Sequence, residues 1–176
     1  MKTIYLAGGC FWGTEQFFRQ FTGVKATQVG YANGSTERPS YEQVRYEGTG
    51  HAETVKIDFD EQALPIRRLL DYYFLTIDPL SVNKQGEDEG VQYRTGVYYD
   101  DESLLPEAAA AVRAQEAKLG QKLAVELCPL RQFFPAEEYH QRYLVKNPGG
   151  YCHIPQSLLH LDTTGDGSSD KGNLTG

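Results

Sequence analysis

Glu53-Thr54-Val55-Lys56-Ile57-Asp58-Phe59-Asp60 alternates without a break. Val55, Ile57 and Phe59 share one parity; Thr54, Lys56, Asp58 and Asp60 share the other. Side chains on a strand point to alternate faces, so this stretch reads as a strand with one face on a core and one in water. The next segment changes period. Ile66, Leu69, Leu70, Tyr73, Phe74 and Ile77 recur at helical spacing, with Pro65 at the entry. A strand with one apolar face, followed at once by an amphipathic helix, reads as a sheet with helices packed on it.

The flanking sequence extends this pattern. Thr3 to Ala7 reads as a short buried strand closed by glycines, Thr14 to Phe21 as a helix with Phe17, Phe18 and Phe21 on one face, and Val24 to Tyr31 as a second strand. Asn33-Gly34 and Arg38-Pro39 mark a turn-rich stretch. A long polar stretch runs from Asp78 to about Gln92; such loops are uncommon in compact domains and often functional. Thr95 to Tyr99 is a strand, Glu102 to Leu119 a helix stopped by Gly120, and Leu123 to Leu127 another strand. Ala136, Tyr139, His140, Tyr143 and Leu144 line one face of a last short helix, ended by Asn147-Pro148-Gly149-Gly150. This order predicts an α+β fold: a two-layer sandwich, a mixed sheet with packed helices, around a ferredoxin-like (split βαβ) core. Residues 1–160 are expected to form a single domain. Residues 161–176, LDTTGDGSSDKGNLTG, are expected to be a flexible polar tail with too little apolar surface to offset ordering.

Composition narrows the function classes. The 176 residues carry a net charge of −7, which argues against a general nucleic-acid footprint. No apolar run approaches the roughly 20 residues that span a bilayer, so no membrane partner is expected. MKTIYLAGG runs straight into glycines and a cysteine, unlike a signal peptide, and a cytoplasmic location is expected. Three cysteines, Cys10, Cys128 and Cys152, are too few for a disulfide scaffold. No zinc-ribbon pair and no phosphate-binding glycine loop is present.

Two residues stand out chemically. Cys10 lies in the turn between a strand and a helix, among Gly8, Gly9 and Gly13 and beside Phe11 and Trp12. Free amide groups and the positive end of a helix favour a thiolate there. A buried structural thiol is the other reading, a common fate for cysteine. Glu53 shares the parity of Val55, Ile57 and Phe59, so it points to the buried face. An ionised carboxylate is costly there, and its pKa should rise far enough for it to act as a general acid. The competing reading leaves Glu53 at the strand end, reaching water. Tyr41 and Tyr93 sit in turn or loop contexts, and Asp88 belongs to the acidic run Glu87-Asp88-Glu89. His51 and His140 are candidate bases. Cys152 follows Gly149-Gly150-Tyr151 on a late segment that could swing toward a second thiol, whereas Cys128, between Leu127 and Pro129, reads as structural.

Five segments in order carry a resemblance. Gly9-Cys10-Phe11-Trp12-Gly13, Gly50-His51-Ala52-Glu53, Gln85 to Arg94 (QGEDEGVQYR), Ala136 to Gln141 (AEEYHQ) and Lys146 to Cys152 (KNPGGYC) resemble the motifs of the type A peptide methionine sulfoxide reductases. The resemblance implies reduction of methionine sulfoxide, free or in proteins, as the S epimer. It implies Cys10 as nucleophile and Glu53 as acid, assisted by Tyr41 and Tyr93. Asp88 would shape the polar pocket, and Phe11 and Trp12 would receive the substrate methyl group. Cys10 would become a sulfenic acid, then a disulfide with Cys152, reopened by a dithiol such as thioredoxin. No metal or organic cofactor is implied. Lys84 and Glu87 depart from the family's usual arginine and asparagine, and no cysteine follows Cys152 to form a further relay. A thiol hydrolase pairing Cys10 with His51 or His140, and a metal-binding module, are the rival readings.

Overall fold

The computed structural model describes residues 1–161. Its elements are β1 (Lys2–Ala7), α1 (Phe11–Arg19), β2 (Val24–Ala32), α2 (Tyr41–Tyr46), β3 (Ala52–Phe59), α3 (Ile66–Leu75), β4 (Lys84–Gln85), β5 (Asp88–Glu89), β6 (Gly96–Tyr99), α4 (Leu105–Leu119), β7 (Glu126–Pro129), β8 (Phe133–Pro135) and α5 (Tyr143–Lys146). Six strands form one sheet in the order β7-β6-β1-β3-β2-β8. β3 runs antiparallel to both β1 and β2, so β1 and β2 are parallel with β3 between them. β6 pairs antiparallel with β1, and β7 pairs parallel with β6. The sheet is mixed and carries helices, as expected, and its order is compatible with a split βαβ core.

Alternation along β1 and β3 divides the two faces. Ile4, Leu6, Val55, Ile57 and Phe59 are fully buried on the face that packs against Phe17 and Phe18 of α1 and Leu69, Leu70 and Tyr73 of α3. Each such side chain contributes about 1.5–3 kcal/mol on leaving water. This one apolar face therefore fixes the register of β3, since a slip by one residue would bury Lys56 and Asp58. A smaller cluster on the opposite face gathers Tyr5, Ala7, Ala32, Ala52 and Tyr98, with Cys128 and Phe133 against it.

Several expectations need correction. The last helix, read from Ala136 to Leu144, is instead a single 3-10 turn at Glu138–His140 followed by the four-residue α5. Between them Gln141 is extended, and its side-chain amide bonds both the N–H and the C=O of Val29 at 2.9 Å. Arg142 takes φ +51° and donates its N–H to the buried Glu15 carboxylate at 2.8 Å. These long-range bonds outweigh local helix propensity. The strand read at Leu123 to Leu127 begins later, at Glu126. Leu123 and Ala124 give their N–H groups to Glu116 and to the Pro79 carbonyl instead. The turn-rich stretch after Asn33 leads into α2, capped by Ser40 and Gln43 in a reciprocal capping box. The polar stretch from Asp78 contains the β4–β5 hairpin, turned through Gly86 at φ +60°. Leu161 donates to the Gln20 side chain at 2.8 Å; the remainder of the expected tail lies outside the described residues.

Candidate active site

The site forms where β1 hands over to α1. Cys10 is the N-cap of α1 with extended backbone, and its side chain is buried. The next residue ties this turn to β3: the Phe11 N–H donates to Glu53 Oε1 across 3.1 Å. Glu53 is 2% exposed, on the apolar face that its parity predicts, and does not reach water. Burial pushes its carboxyl up to about 8, and the Asp88 charge adds to this, against the opposing Phe11 N–H and the Arg45 charge. Near neutral pH this side chain keeps its proton.

Cys10 departs from the expectation of a ready thiolate. The nearby Trp12 backbone N–H acts to lower its pKa, as a helix end should. Burial and the neighbouring Glu53 charge act the other way and dominate, so the thiol lies well above its ordinary range. Two protons, one on sulfur and one on carboxyl, are therefore held in the same buried corner.

Tyr41 and Tyr93 both reach this corner. Tyr93 and Tyr41 lie close enough for each to shift the other's phenol. Burial raises both phenols, with Glu53 the next contributor for each, so both stay protonated donors. The first turn of α2 is pinned by the Tyr41 N–H, which donates to Glu137 at 3.0 Å. Asp88, presented by β5, accepts from the Tyr151 hydroxyl at 2.8 Å, and its charge is felt by Cys10, Glu53 and Tyr93. The aromatic wall is anchored from outside: Trp12 stacks on Tyr143 at 3.7 Å and 10°, and its indole N–H donates to His140 Nδ1 at 3.0 Å. Phe11 packs on Tyr31 and His140.

The C-terminal segment closes over the glycines. A Cβ on Gly13 would lie 3.0 Å from Cys152 Sγ and 3.1 Å from His153 Nδ1; one on Gly9, which has φ +83°, would lie 2.9 Å from His153 Nε2. These two glycines admit the Cys152-His153 pair against the Cys10 turn. Cys152 is half-buried, its thiol raised by burial, and it borders a cavity of about 220 Å³ that reaches Gln16, Leu144 and Pro148. The structure thus gathers Cys10, Phe11, Trp12, Tyr41, Glu53, Asp88, Tyr93 and Cys152. Cys128 stands apart on the other face of the sheet, with the Asn33 amide 3.8 Å from its sulfur.

Neither candidate histidine has the bonding of a base for Cys10. His51 accepts from the Gly34 N–H at Nδ1 and bonds the Thr36 carbonyl through Nε2. His140 uses Nδ1 to accept from Trp12. Among the described residues no three His, Cys, Asp or Glu side chains converge as metal ligands, and no helix is long and apolar enough to cross a membrane. The sequence reading missed His153, Tyr143 and the buried Gln85, whose side-chain amide bonds the Asp78 backbone at 2.8 and 2.9 Å and braces the hairpin that carries Asp88. Gln85 lies within a matched segment, so the resemblance could have found it; no local pattern marks the other two.

Comparison with known proteins adds an independent line. A family model described as peptide methionine sulfoxide reductase matches residues 2–166. The peptide methionine sulfoxide reductase MsrA of Lachnoclostridium phytofermentans is 54% identical over 155 residues, covering 88% of this chain and 93% of the relative. The crystal structure of reduced Mxr1 from Saccharomyces cerevisiae superposes with a TM-score of 0.82 at 37% identity, over 88% of this chain and 91% of that one. Mxr1 in complex with Trx2 superposes with a TM-score of 0.56 at 26% identity, over 81% and 84%.

Proposed function

The chain belongs to the peptide methionine sulfoxide reductase family, type A, and on that premise we propose how its residues reduce the S epimer of methionine sulfoxide, free or in proteins. The observation that carries the reading is the Phe11–Glu53 hydrogen bond, which holds a buried, protonated carboxyl at the turn that bears a buried thiol. Such a pair is poor as a structural element, yet it suits sulfoxide chemistry: the oxygen must gain a proton as sulfur is attacked.

The substrate methyl group sits against Phe11 and Trp12, with the sulfoxide oxygen toward Glu53, Tyr41 and Tyr93. Asp88 keeps the pocket polar. Cys10 Sγ attacks the sulfoxide sulfur while Glu53 protonates the oxygen. The oxygen then passes from the substrate sulfur to Cys10 Sγ as the new bond between the two sulfurs breaks, so methionine leaves and Cys10 carries the oxygen as a sulfenic acid. Of the two protons in the corner, one ends on that oxygen and the other stays with Glu53, so the step balances. Cys152 then condenses with the sulfenic acid, releasing water and forming the Cys10–Cys152 disulfide. A dithiol reopens it by exchange. Thioredoxin is assigned that task, in keeping with the yeast relative solved with Trx2.

The chemistry asks for no metal or organic cofactor, since the electrons come from thiols. We assign the protein to the cytoplasm on its scarcity of cysteine, three in 176 residues. Residues 1–160 are read as one catalytic domain. The test is an assay of the separate S and R epimers with dithiothreitol. Reduction of the S epimer alone is expected. Preference for the R epimer would overturn the pocket assignment.

A further inference from the structure

His153 has no part in the scheme above, yet it packs on the Cys10 turn. Its Nε2 lies 2.9 Å from the Gly8 carbonyl oxygen. A carbonyl only accepts, so Nε2 carries the proton and Nδ1 carries the lone pair. That Nδ1 is buried and without a hydrogen-bond partner among the described residues. A buried acceptor left unsatisfied calls for an explanation. Its place supplies one: Cys152 Sγ and His153 Nδ1 stand 3.0 and 3.1 Å from the same point, the place a Cβ on Gly13 would take. The Cys152 thiol donates to the Ile154 carbonyl across 3.5 Å, and a carbonyl cannot carry the proton away.

We propose that His153 is the base of the disulfide-forming step, its Nδ1 taking the thiol proton as Cys152 Sγ attacks the sulfur of the Cys10 sulfenic acid. The S–S bond forms and the S–O bond breaks. The oxygen leaves as water with a proton from Glu53, and the proton gathered by His153 replaces it, so one disulfide and one water result and no outside oxidant is used. The inference rests on the assignment of Cys10 and Cys152 above. The charged and titratable groups near His153 are Asp88 on β5 and the thiols of Cys10 and Cys152. Asp88 raises the imidazole, but burial is the larger effect and lowers it, which leaves the lone pair free at neutral pH.

The test uses the full chain as His153→Gln, which keeps a side-chain N–H for the Gly8 carbonyl but has no basic nitrogen. The reduced enzyme is mixed with excess methionine sulfoxide and no reductant, and methionine release and Cys152 alkylation are followed by rapid quench. Methionine release is expected within about threefold of wild type, and disulfide formation slower on the order of 10²-fold, the size of a general-base contribution. The variant must also draw on the Cys152 thiolate itself, so the ratio of its disulfide rate to that of the wild type should climb about tenfold per pH unit from roughly 7 to 9, since loss of the Glu53 proton near 8 slows both alike. A wild-type rate and pH profile in His153→Gln overturn the proposal. Equal loss of methionine release also overturns it, by showing that the residue only supports the turn. Cys152→Ser run alongside separates the two readings: if its Cys10 still forms a disulfide, the assignment of Cys152 fails rather than that of His153.

Discussion

The Phe11 backbone N–H donates to Glu53 Oε1 at 3.1 Å, joining the first turn of α1 to the edge of the buried face of β3. This bond orients a carboxyl that burial holds at about 8. Glu53→Gln keeps the shape and an acceptor for Phe11 but has no acidic proton. Methionine release in a single turnover should fall on the order of 10²–10⁴-fold. In the wild type that rate should decline as pH rises through about 8, where Glu53 loses its proton. A burst of wild-type size in the glutamine variant would show that another group is the acid.

The same shift makes a stability prediction of definite sign. Below about 4.5 the carboxyl is protonated whether folded or not, so wild type and Glu53→Gln should be close. Between about 4.5 and 8 the unfolded chain ionises while the native site keeps its proton. Wild-type stability should therefore fall, relative to the glutamine variant, as pH rises across that window, and the gap should level off above it. Thermal melts of the two proteins from pH 4 to 9 check this, and a gap that narrows with rising pH would contradict the assigned shift.

Tyr41 and Tyr93 are neighbours, and both lie close enough to Glu53 to feel its charge. Each hydroxyl lost should cost about 0.5–1.5 kcal/mol, a few-fold to roughly tenfold in methionine release. Because the two hydroxyls are neighbours at one site, the double change to Phe should cost less than the product of the single effects. Neither phenol titrates below its ordinary range, so the descending limb set by Glu53 should keep its position in all three variants. Single-turnover rates against pH, compared in a double-mutant cycle, decide this; additive losses would mean that the two hydroxyls act separately.

The central part of this arrangement is legible in the chain because it is local. Eight alternating residues place Glu53 on the same side as Val55, Ile57 and Phe59, and the glycines around Cys10 announce a turn. The α2 helix also had a local mark, Ser40 and Gln43 at capping-box spacing, obscured by the turn residues before it. The rest depends on distant partners. Gln141 breaks the last helix to pair with Val29, more than a hundred positions away, and His153 bonds Gly8 from the other end of the chain. The raised thiol of Cys10 has a related cause. A helix end acts over one turn and can be read locally, whereas burial and the charges of Glu53 and Asp88 come from distant parts of the chain.

Cys152 and Cys128 should separate cleanly. Cys152 lies against Gly13 beside the Cys10 turn, whereas Cys128 packs with Tyr5, Ala7 and Phe133 on the far face of the sheet. Cys152→Ser should release one methionine per enzyme and then stall, with Cys10 trapped as a sulfenic acid by dimedone. Turnover with thioredoxin should be lost, while a small thiol can still attack the sulfenic acid directly. Cys128→Ser should recycle normally and alter melting more than rate. If thioredoxin turnover survives in Cys152→Ser and fails in Cys128→Ser, the two roles are reversed.

Gly13 supplies the last prediction, in which stability and rate part company. It lies inside α1 at a helical φ, so alanine suits the backbone and should favour the helix by up to about 1 kcal/mol. The added methyl carbon, however, would stand 3.0 Å from Cys152 Sγ and 3.1 Å from His153 Nδ1. Contacts that close force the C-terminal segment to move away from the turn. The Cys152-His153 pair need give only by a few tenths of an ångström, so disulfide formation in Gly13→Ala should slow by less than the roughly 10²-fold that a 1 Å displacement of a reacting group can cost. Methionine release in the first turnover, which does not involve Cys152, should remain close to wild type. Melting curves, the methionine burst and the rate of disulfide formation together decide the matter. A stable Gly13→Ala protein that forms its disulfide at the wild-type rate would mean that the close packing of Cys152 over this glycine has no bearing on catalysis.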